Sequence, residues 1–379
     1  MSEAVEAFAY HVPQAALDDL NARLDNARWP EREAVVDWSQ GVPLAAPQDF
    51  VGYWRHDYDW RACEAWLNEA GLYTTTIDGV AVRFLHVRSR HAGAAPLILT
   101  HGWPGSILEF RACVGPLTDP EAHGGRAEDA FHLVIPCLPG YGLSGKPERH
   151  GWNVERIARA WGVLMVRLGY SRWFAQGGDW GAIVTSQIGQ QAVAGCAGIH
   201  LNMPMAPPLP EDLANPSPEV LKALGALKHY QDWDSGYSKQ QSTRPQTIGY
   251  ALVDSPVALA GWIYEKMWAW TDNNGRPEDA LSRDAMLDNI MLYWLTAAGA
   301  SSARLYWESF KPSPMTQITM PVAASVFPKE VLPTPRRCME PYCPNIVHWG
   351  VMDKGGHFAA WEQPAAFVSE VRTAFALMR

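Results

Sequence analysis

Short apolar runs alternate with helical patterns along the middle of the chain, and this alternation restricts the fold more than any other feature. Four runs have the length of strands and are almost continuously apolar, namely PLILT at 96–100, FHLVIPC at 131–137, WFAQG at 173–177 and AGIHLN at 197–202. Such runs are typical of a parallel sheet that is covered on both faces. After Asn153, apolar residues recur every three or four positions, which indicates an amphipathic helix. The alternation predicts an α/β fold with a mostly parallel central sheet and helices on both faces.

Changes in pattern divide the chain into four predicted segments. The first is an N-terminal arm of short helices that wraps the core, the second and fourth form the core, and the third is a mostly helical lid. Two β-rich runs around the turn signal Asp78-Gly79 open the core, and six prolines between 204 and 218 end its strand pattern. The segments are 1–71, 72–203, 204–319 and 320–379.

Charge and cysteine content exclude several classes of function. The chain has 31 basic and 40 acidic residues, a net charge of −9 and no basic block, which argues against a nucleic-acid or membrane-surface partner. The acidic start, interrupted by Pro13, does not resemble a signal peptide, and no apolar run approaches the roughly 18 residues of a membrane span. We therefore expect a cytoplasmic protein. Its six cysteines are predicted to be free thiols, and only Cys338 and Cys343 are close enough to suggest a bridge.

The segment GGDWG, which ends a strand run and begins a helical one, has the context of a nucleophile elbow. This turn usually holds serine, whereas here its centre is Asp179. A serine that attacks a saturated carbon would leave an inert ether, but a carboxylate leaves an ester that water can hydrolyse. Asp179 therefore predicts alkyl transfer rather than acyl transfer. The alternative is that Asp179 only caps the helix.

A second loop, HGWPGS, follows the PLILT strand directly, where an α/β hydrolase would place an oxyanion donor. We expect the backbone N–H groups of Trp103 and Trp180 to face the carbonyl oxygen of Asp179. His101 is expected to support this loop rather than to transfer protons. A tight turn without catalytic function is the alternative for this segment.

The third catalytic candidate is His357, in the loop GGHF after the last predicted strand. A histidine can deprotonate water near neutral pH, and its position after that strand fits the chain order of a catalytic triad. The imidazole needs an acidic partner to fix its tautomer. Glu330, after the VAASVF strand, is the favoured partner, and Asp353 remains an alternative at this stage.

If the carbon that Asp179 attacks carries oxygen as its leaving group, the reaction also requires an acid, because the departing oxygen would otherwise leave as an alkoxide. Tyrosine stays protonated at neutral pH and can donate a hydrogen bond that strengthens as charge develops. Spacing alone selects none of the lid tyrosines. They are Tyr230, Tyr237, Tyr250, Tyr264, Tyr293 and Tyr306.

Taken together, these residues resemble the microsomal and juvenile-hormone branch of the epoxide hydrolases. The matching segments include YDWRACEAWLN, HGWPGSILEF, LPGYGLSGKP, GGDWGAIV, SVFPKE and GGHFAAWEQP, so the resemblance spans nearly the whole chain. It implies an α/β-hydrolase fold with Asp179 as nucleophile, His357 as base and Glu330 as its orienting acid. It also implies that Tyr237 and Tyr306 polarise the epoxide oxygen, with no metal or organic cofactor. The sequence shows no match to the membrane-anchoring N-terminus of the mammalian members, so we expect a protein that resembles the soluble bacterial ones.

Three other functions compete with epoxide hydrolysis. A dehalogenase shares the aspartate and histidine but needs halide-binding N–H donors, and the paired tyrosines count against it. A catalytically silent receptor on the same fold would be expected to have lost Asp179 or His357. A serine esterase is disfavoured because Ser106 and Ser144 lie outside the elbow. The 18 tryptophans favour a bulky apolar or aromatic epoxide, with water as co-substrate, and a homodimer stays open.

Overall fold

The computed structural model describes residues 3–311 and 314–379, and within them nine strands form a single sheet. The strands are β1 Glu6–Ala7, β2 Leu72–Ile77, β3 Val80–Val87, β4 Ala95–Thr100, β5 Phe131–Pro136, β6 Trp173–Gly177, β7 Cys196–Leu201, β8 Val322–Val326 and β9 Ile346–Val351. Their order is β1-β2-β3-β5-β4-β6-β7-β8-β9. β1, β2 and β3 are antiparallel to their neighbours, whereas β5, β4 and all later strands pair in parallel. The predicted α/β class and mostly parallel sheet are confirmed.

Helices cover both faces of this sheet. They are α1 Gln14–Asp25, α2 Ala45–His56, α3 Trp60–Glu69, α4 Arg111–Thr118, α5 Val154–Arg167, α6 Trp180–Gln190, α7 Pro210–Ala214, α8 Pro218–His229, α9 Gly236–Thr243, α10 Pro245–Asp254, α11 Pro256–Trp270, α12 Arg283–Leu295, α13 Ala298–Ser309, α14 Arg336–Met339, α15 Ala359–Glu362 and α16 Pro364–Ala376. α5 packs against α6 on one side, and α4 packs against α16 on the other.

Local sequence signals explain several element boundaries. The side chain of Asn153 accepts a hydrogen bond from the N–H of Arg156 at the start of α5, as expected of a capping residue. Asp78 and Gly79 have φ angles of 49° and 82°, the conformation that a tight hairpin between β2 and β3 requires. The arm also contributes β1, a two-residue strand that the sequence analysis missed. So short an edge strand leaves no periodic pattern to detect.

The lid is an insertion between β7 and β8, and the arm packs against it. α1 and α2 contact α11, and α3 contacts α12. The hydroxyl of Tyr58 donates to Oδ1 of Asp288 at 2.6 Å, and Nη1 of Arg111 lies 3.0 Å from Oδ2 of the same carboxylate. Asp288 thus links the arm, the core and the lid. The exact segment boundaries stay a sequence prediction.

The sequence also predicted free thiols and no membrane-spanning segment. All six cysteines are free thiols, including Cys338 and Cys343. Among residues 3–311 and 314–379, every helix is too short or too polar to cross a membrane.

Candidate active site

Asp179 stands on a sharp turn at the carboxyl end of a central strand. β6 ends at Gly177 and α6 begins at Trp180, so only two residues reverse the chain. Asp179 has φ 51° and ψ −129°, a conformation that an L-residue rarely adopts and that costs on the order of 1–3 kcal/mol. The turn holds the Asp179 side chain clear of the helix that follows, which is the geometry of a nucleophile elbow.

The elbow depends on glycine because its backbone segments nearly touch. A Cβ on Gly181 would lie 1.8 Å from the carbonyl oxygen of Thr100, whereas a Cβ on Gly178 would meet only Cβ of Asn202 at 3.7 Å. We expect Gly181→Ala to lower the free energy of unfolding by about 3 kcal/mol, because backbone atoms cannot move aside locally. Gly178→Ala is the matched control and should cost far less. Chemical denaturation of both variants checks this, and equal stabilities would contradict it.

The loop after β4 supplies a donor to the Asp179 carboxylate. The backbone N–H of Trp103 donates to Oδ1 of Asp179 at 2.8 Å. A Cβ on Gly102 would lie 2.2 Å from that oxygen, so only glycine allows this approach. Trp180 is the first residue of α6, and its N–H is one of the amides that a helix start leaves without a partner inside the helix.

His101 holds this loop in place. Its Nδ1 lies 2.9 Å from the carbonyl oxygen of Gly102, and its Nε2 accepts a hydrogen bond from the N–H of Leu138 at 3.2 Å. Burial lowers the pKa of His101 to about 4. It is therefore a neutral, fully engaged side chain, in line with the supporting role expected from the sequence.

His357 bridges Asp179 and Glu330. Its Nε2 lies 3.3 Å from Oδ2 of Asp179, and its Nδ1 lies 2.7 Å from Oε1 of Glu330. The side chains of His357 and Glu330 are 3% and 2% exposed, whereas that of Asp179 is 18% exposed. The carboxylate at the elbow is thus the member of this group that reaches open space. Asp353, the alternative partner, is exposed on the loop before His357.

The surroundings of His357 favour its charged form. Burial by itself lowers the pKa of His357, but the negative charges of Glu330 and Asp179 and the hydrogen bonds to them outweigh it. The pKa of His357 therefore lies well above its usual value. Any event that removes the charge of Asp179 lowers this pKa again.

Sequence reasoning missed two residues that hold the histidine loop. The carboxylate of Glu362 accepts hydrogen bonds from the N–H groups of Asp272, Gly356 and Phe358 at 2.7 to 3.0 Å, and burial raises its pKa to about 7. The carbonyl oxygen of Trp270 accepts the N–H of His357 at 2.8 Å. The Trp270 ring lies edge-on to the imidazole with centroids 5.1 Å apart. Neither residue has a spacing that distinguishes it from ordinary core.

Tyr237 and Tyr306 come from different lid helices and meet above the oxyanion loop. The ring of Tyr237 is stacked on Trp103 with centroids 4.7 Å apart, and Tyr306 meets Trp180 edge-on at 4.8 Å. The two tyrosine rings meet edge-on with centroids 5.7 Å apart. Burial raises the pKa of both phenols well above the usual value, and the charge of Asp179 adds to this effect. Both are therefore protonated phenols.

The other candidate hydroxyls have different partners. Tyr264 donates to Glu278 and Tyr293 to the carbonyl oxygen of Gly105, whereas Tyr250 is 70% exposed. Tyr230 donates to Ser238, and its hydroxyl also lies 3.4 Å from that of Tyr237. Ser106 caps the 3-10 turn after the oxyanion loop, and Ser144 donates to the carbonyl oxygen of Cys137. The structure thus brings together, at the elbow, the seven residues that sequence and resemblance selected. They are Asp179, His357, Glu330, Tyr237, Tyr306, Trp103 and Trp180.

One group in the described part of the chain could supply three metal ligands, and it lies elsewhere. His91, Asp119 and Glu121 lie together near the amino end of β4, at the opposite edge of the sheet from Asp179. Arg90 forms ion pairs with both carboxylates. We assign no cofactor or metal role to this cluster.

Two family profiles match the chain and define its class. The profile of the alpha/beta hydrolase fold matches residues 95–364, and the profile of the epoxide hydrolase N terminus matches residues 5–110. The second match covers the arm and the oxyanion loop. Fold and elbow together therefore define an α/β hydrolase.

Individual relatives narrow this class. A protein of Stigmatella aurantiaca named "Putative epoxide hydrolase" is 54% identical over 98% of this chain and 85% of its own length. Epoxide hydrolase 1 of the rabbit, Oryctolagus cuniculus, is 31% identical over 97% of this chain and 88% of its own length. The crystal structure of juvenile hormone epoxide hydrolase from the silkworm Bombyx mori superposes with a TM-score of 0.92 and 28% identity, covering 100% of this chain and 95% of that one. The chain belongs to the epoxide hydrolase family, and the dehalogenase, receptor and esterase alternatives are not favoured.

Proposed function

We propose that this epoxide hydrolase works through a covalent ester on Asp179. In the first step Oδ2 of Asp179 attacks a ring carbon of the epoxide, and the breaking C–O bond gives its electron pair to the ring oxygen. Tyr237 and Tyr306 donate hydrogen bonds to that oxygen and provide its proton. The position of the two phenols supports this step, because both pack on the tryptophans that flank the Asp179 carboxylate. No cofactor or metal is needed for this chemistry.

In the second step water hydrolyses the ester. Nε2 of His357 takes a proton from a water molecule whose oxygen attacks Cγ of Asp179. The N–H groups of Trp103 and Trp180 stabilise the oxyanion that forms, where each such donor contributes on the order of 3 kcal/mol. The ester C–O bond then breaks and the leaving alkoxide takes the proton from His357. The second proton of the water passes from the Asp179 carboxyl group to the phenolate left by the first step, which restores the enzyme as the diol departs. Because esterification removes the charge of Asp179, the pKa of His357 falls at the moment when a neutral base is needed.

The observation that carries the proposal is the pair of contacts made by one carboxylate. Oδ1 of Asp179 accepts the Trp103 amide at 2.8 Å, and Oδ2 lies 3.3 Å from the imidazole. One oxygen is thus held as the future carbonyl oxygen, and the other faces the base.

A single turnover in water enriched in oxygen-18 tests the ester. Since the attacking water becomes part of the carboxylate, we expect the label in residue 179 and unlabelled diol oxygen from the enzyme. Peptide mass spectrometry after digestion measures this. The Asp179→Ala variant is the control, which should neither incorporate oxygen-18 at residue 179 nor produce diol. Label that enters only the diol during the first turnover would exclude the ester and favour direct attack by water.

The role proposed for Glu330 predicts a shift in pH dependence. Its charge raises the pKa of His357, so Glu330→Gln should lower that pKa. Hydrolysis of the ester needs neutral imidazole, so its rate increases as the pH rises through the pKa of His357. In the variant this increase in rate should occur at lower pH. The rate of ester hydrolysis on the high-pH plateau should fall by roughly 10²- to 10⁴-fold, because the variant no longer holds the imidazole in its orientation.

Decay of the ester in single-turnover experiments across the pH range measures both effects. The matched control is Asp353→Asn, which changes an exposed carboxylate on the loop that carries His357 and should leave the profile unchanged. A Glu330→Gln profile that keeps its position, or moves to higher pH, would contradict the assignment.

We further propose a bulky apolar or aromatic epoxide as substrate. Rings of Trp103, Trp180, Trp270, Tyr237 and Tyr306 surround the carboxylate. A groove of about 1140 Å³ is lined by Tyr230, Trp270 and Glu330, which contact Tyr237 or His357, but Asp179 is not among its lining residues. Diol formation from a series of aryl, alkyl and hydroxylated epoxides ranks these classes, and a preference for the hydroxylated ones would reject the proposal.

The cellular location and the assembly remain predictions from the sequence. The free thiols support the cytoplasm, where disulfides are rare. Cell fractionation checks the location, and sedimentation of the purified protein distinguishes a monomer from a homodimer.

A further inference from the structure

We propose that Lys266 is a positioning residue that makes Tyr237 the stronger acid of the tyrosine pair, through an ammonium group on the face of its ring. The inference rests on the proposed function, in which Tyr237 donates to the epoxide oxygen. Nζ of Lys266 lies 4.7 Å from the centroid of the Tyr237 ring. Lys266 belongs to α11 and Tyr237 to α9, so the lid fold alone brings them together.

Lys266 is a buried cation held by two carboxylates. The residue is 3% exposed, and Nζ lies 2.5 Å from Oδ1 of Asp234 and 2.8 Å from Oε2 of Glu265. It also donates to the carbonyl oxygen of Asp234 at 3.2 Å. Burying an ammonium group is costly unless it is paired in this way, and the two carboxylates keep it charged. The ion pairs therefore fix both the charge and the position of Nζ.

The other face of the Tyr237 ring is covered by Trp103. These two rings are stacked with centroids 4.7 Å apart and an angle of 7° between their planes. Tyr237 is thus enclosed between the ammonium group of Lys266 and the indole whose backbone amide holds Asp179. Oδ2 of Asp234 also accepts the indole N–H of Trp270 at 2.5 Å, which ties the same cluster to the wall beside His357.

The attraction between the Lys266 ammonium group and the Tyr237 ring is stronger in the transition state than in the ground state. When a phenol gives up its proton to an alkoxide, negative charge spreads from its oxygen into the ring. A cation on the ring face is attracted to that charge, and the attraction grows as the proton moves. Interactions that are stronger in the transition state than in the ground state accelerate the reaction. Burial makes the interaction larger than it would be in water.

Tyr306 lacks this contact. Its ring meets the edges of Trp180 at 4.8 Å and Trp103 at 5.9 Å, and it lies against Phe310 at 5.9 Å. In the part of the chain that the structure describes, no lysine or arginine lies over the Tyr306 ring. The pair is therefore asymmetric, and Tyr237 is the partner that gains acidity.

Double variants test whether Lys266 acts through Tyr237. Lys266→Met is combined with Tyr306→Phe in one protein and with Tyr237→Phe in another, and the rate of ester formation with an aryl epoxide is followed by tryptophan fluorescence in single turnovers. In the Tyr306→Phe background, Lys266→Met should slow this step by about five- to thirty-fold. In the Tyr237→Phe background it should have no further effect, because the ring charge it stabilises never forms. Equal slowing in both backgrounds would show a structural role only and overturn the proposal.

Two further variants address folding. Lys266→Arg keeps a cation and should retain most of the rate of ester formation. If Lys266→Arg slows this step as much as Lys266→Met does, the effect of Lys266 does not come from its charge. If Lys266→Met does not fold, the combination Lys266→Met with Asp234→Asn removes both charges of the pair and is carried through the same two backgrounds.

The test also separates this inference from the proposed function. A Tyr237→Phe protein that forms the ester as fast as the unmodified enzyme would reject the acid role of Tyr237 itself. A slow Tyr237→Phe protein together with equal Lys266→Met effects in both backgrounds would reject only the role of Lys266.

Discussion

Replacing His357 with glutamine should stop turnover after the first chemical step and leave the substrate attached to Asp179. Nucleophilic attack needs the carboxylate and the phenols, which the substitution leaves in place, whereas hydrolysis of the ester needs the base. We expect steady-state turnover to fall on the order of 10⁴-fold, as for the loss of a catalytic base that acts with its partners as a unit. Intact-mass measurement should show one substrate mass added to each chain.

Two variants make this result specific. Asp179→Ala combined with His357→Gln should show no adduct, since the site of attachment is gone. His150→Gln changes an exposed histidine and should turn over normally without an adduct. A His357→Gln protein that never gains mass with epoxides the unmodified enzyme converts would mean that no ester forms on this chain.

Removing both phenols should have the second large effect. In a protein with Tyr237→Phe and Tyr306→Phe, the ring oxygen leaves without a donor, and we expect ester formation to slow by roughly 10²- to 10⁴-fold. Each single substitution should cost less, because the remaining hydroxyl still reaches the oxygen. Hydrolysis of the ester should keep its rate, since the phenols face the departing oxygen and not the ester carbonyl.

Stopped-flow fluorescence separates the two steps, because tryptophans surround the carboxylate. The control is Tyr250→Phe, which changes a tyrosine that is 70% exposed and should leave both rates unchanged. Normal diol formation by the doubly substituted protein would remove the tyrosines from the mechanism. Equal slowing of ester formation and ester hydrolysis would show that the two tyrosines only maintain the structure of the site.

The elbow was predictable from sequence because its determinants are local. The contact that excludes a side chain at Gly177 is with the backbone of Gly181, four residues later, and the strand that Gly177 ends is an almost continuous apolar run. The predicted strand at 173–177 has the observed ends, since an apolar run with a turn signal at each end defines a buried strand. The fold class therefore followed from patterns a few residues long.

Contacts between distant segments were not predictable in the same way. Glu330 and Asp353 both precede His357 in loops after core strands, and only the three-dimensional arrangement separates a side chain at 2.7 Å from an exposed one. Tyr237 and Tyr306 came from family resemblance, because spacing cannot show that α9 and α13 pack together. Lys266 is buried on α11, and only the three-dimensional structure shows which ring its ammonium group faces. Their catalytic roles stay predictions until the variants are measured.

The arm that lies behind the lid has a consequence for how molecules enter and leave. In the arm, α1 and α2 contact α11 of the lid, and α3 contacts α12. The lid therefore cannot move away as one rigid body without breaking its contacts with the arm. We expect epoxide and diol to pass beside the lid, between Tyr230, Trp270 and Glu330, which line a groove next to the active site. The width of that passage, rather than the strength of any hinge, then sets the largest molecule the enzyme accepts.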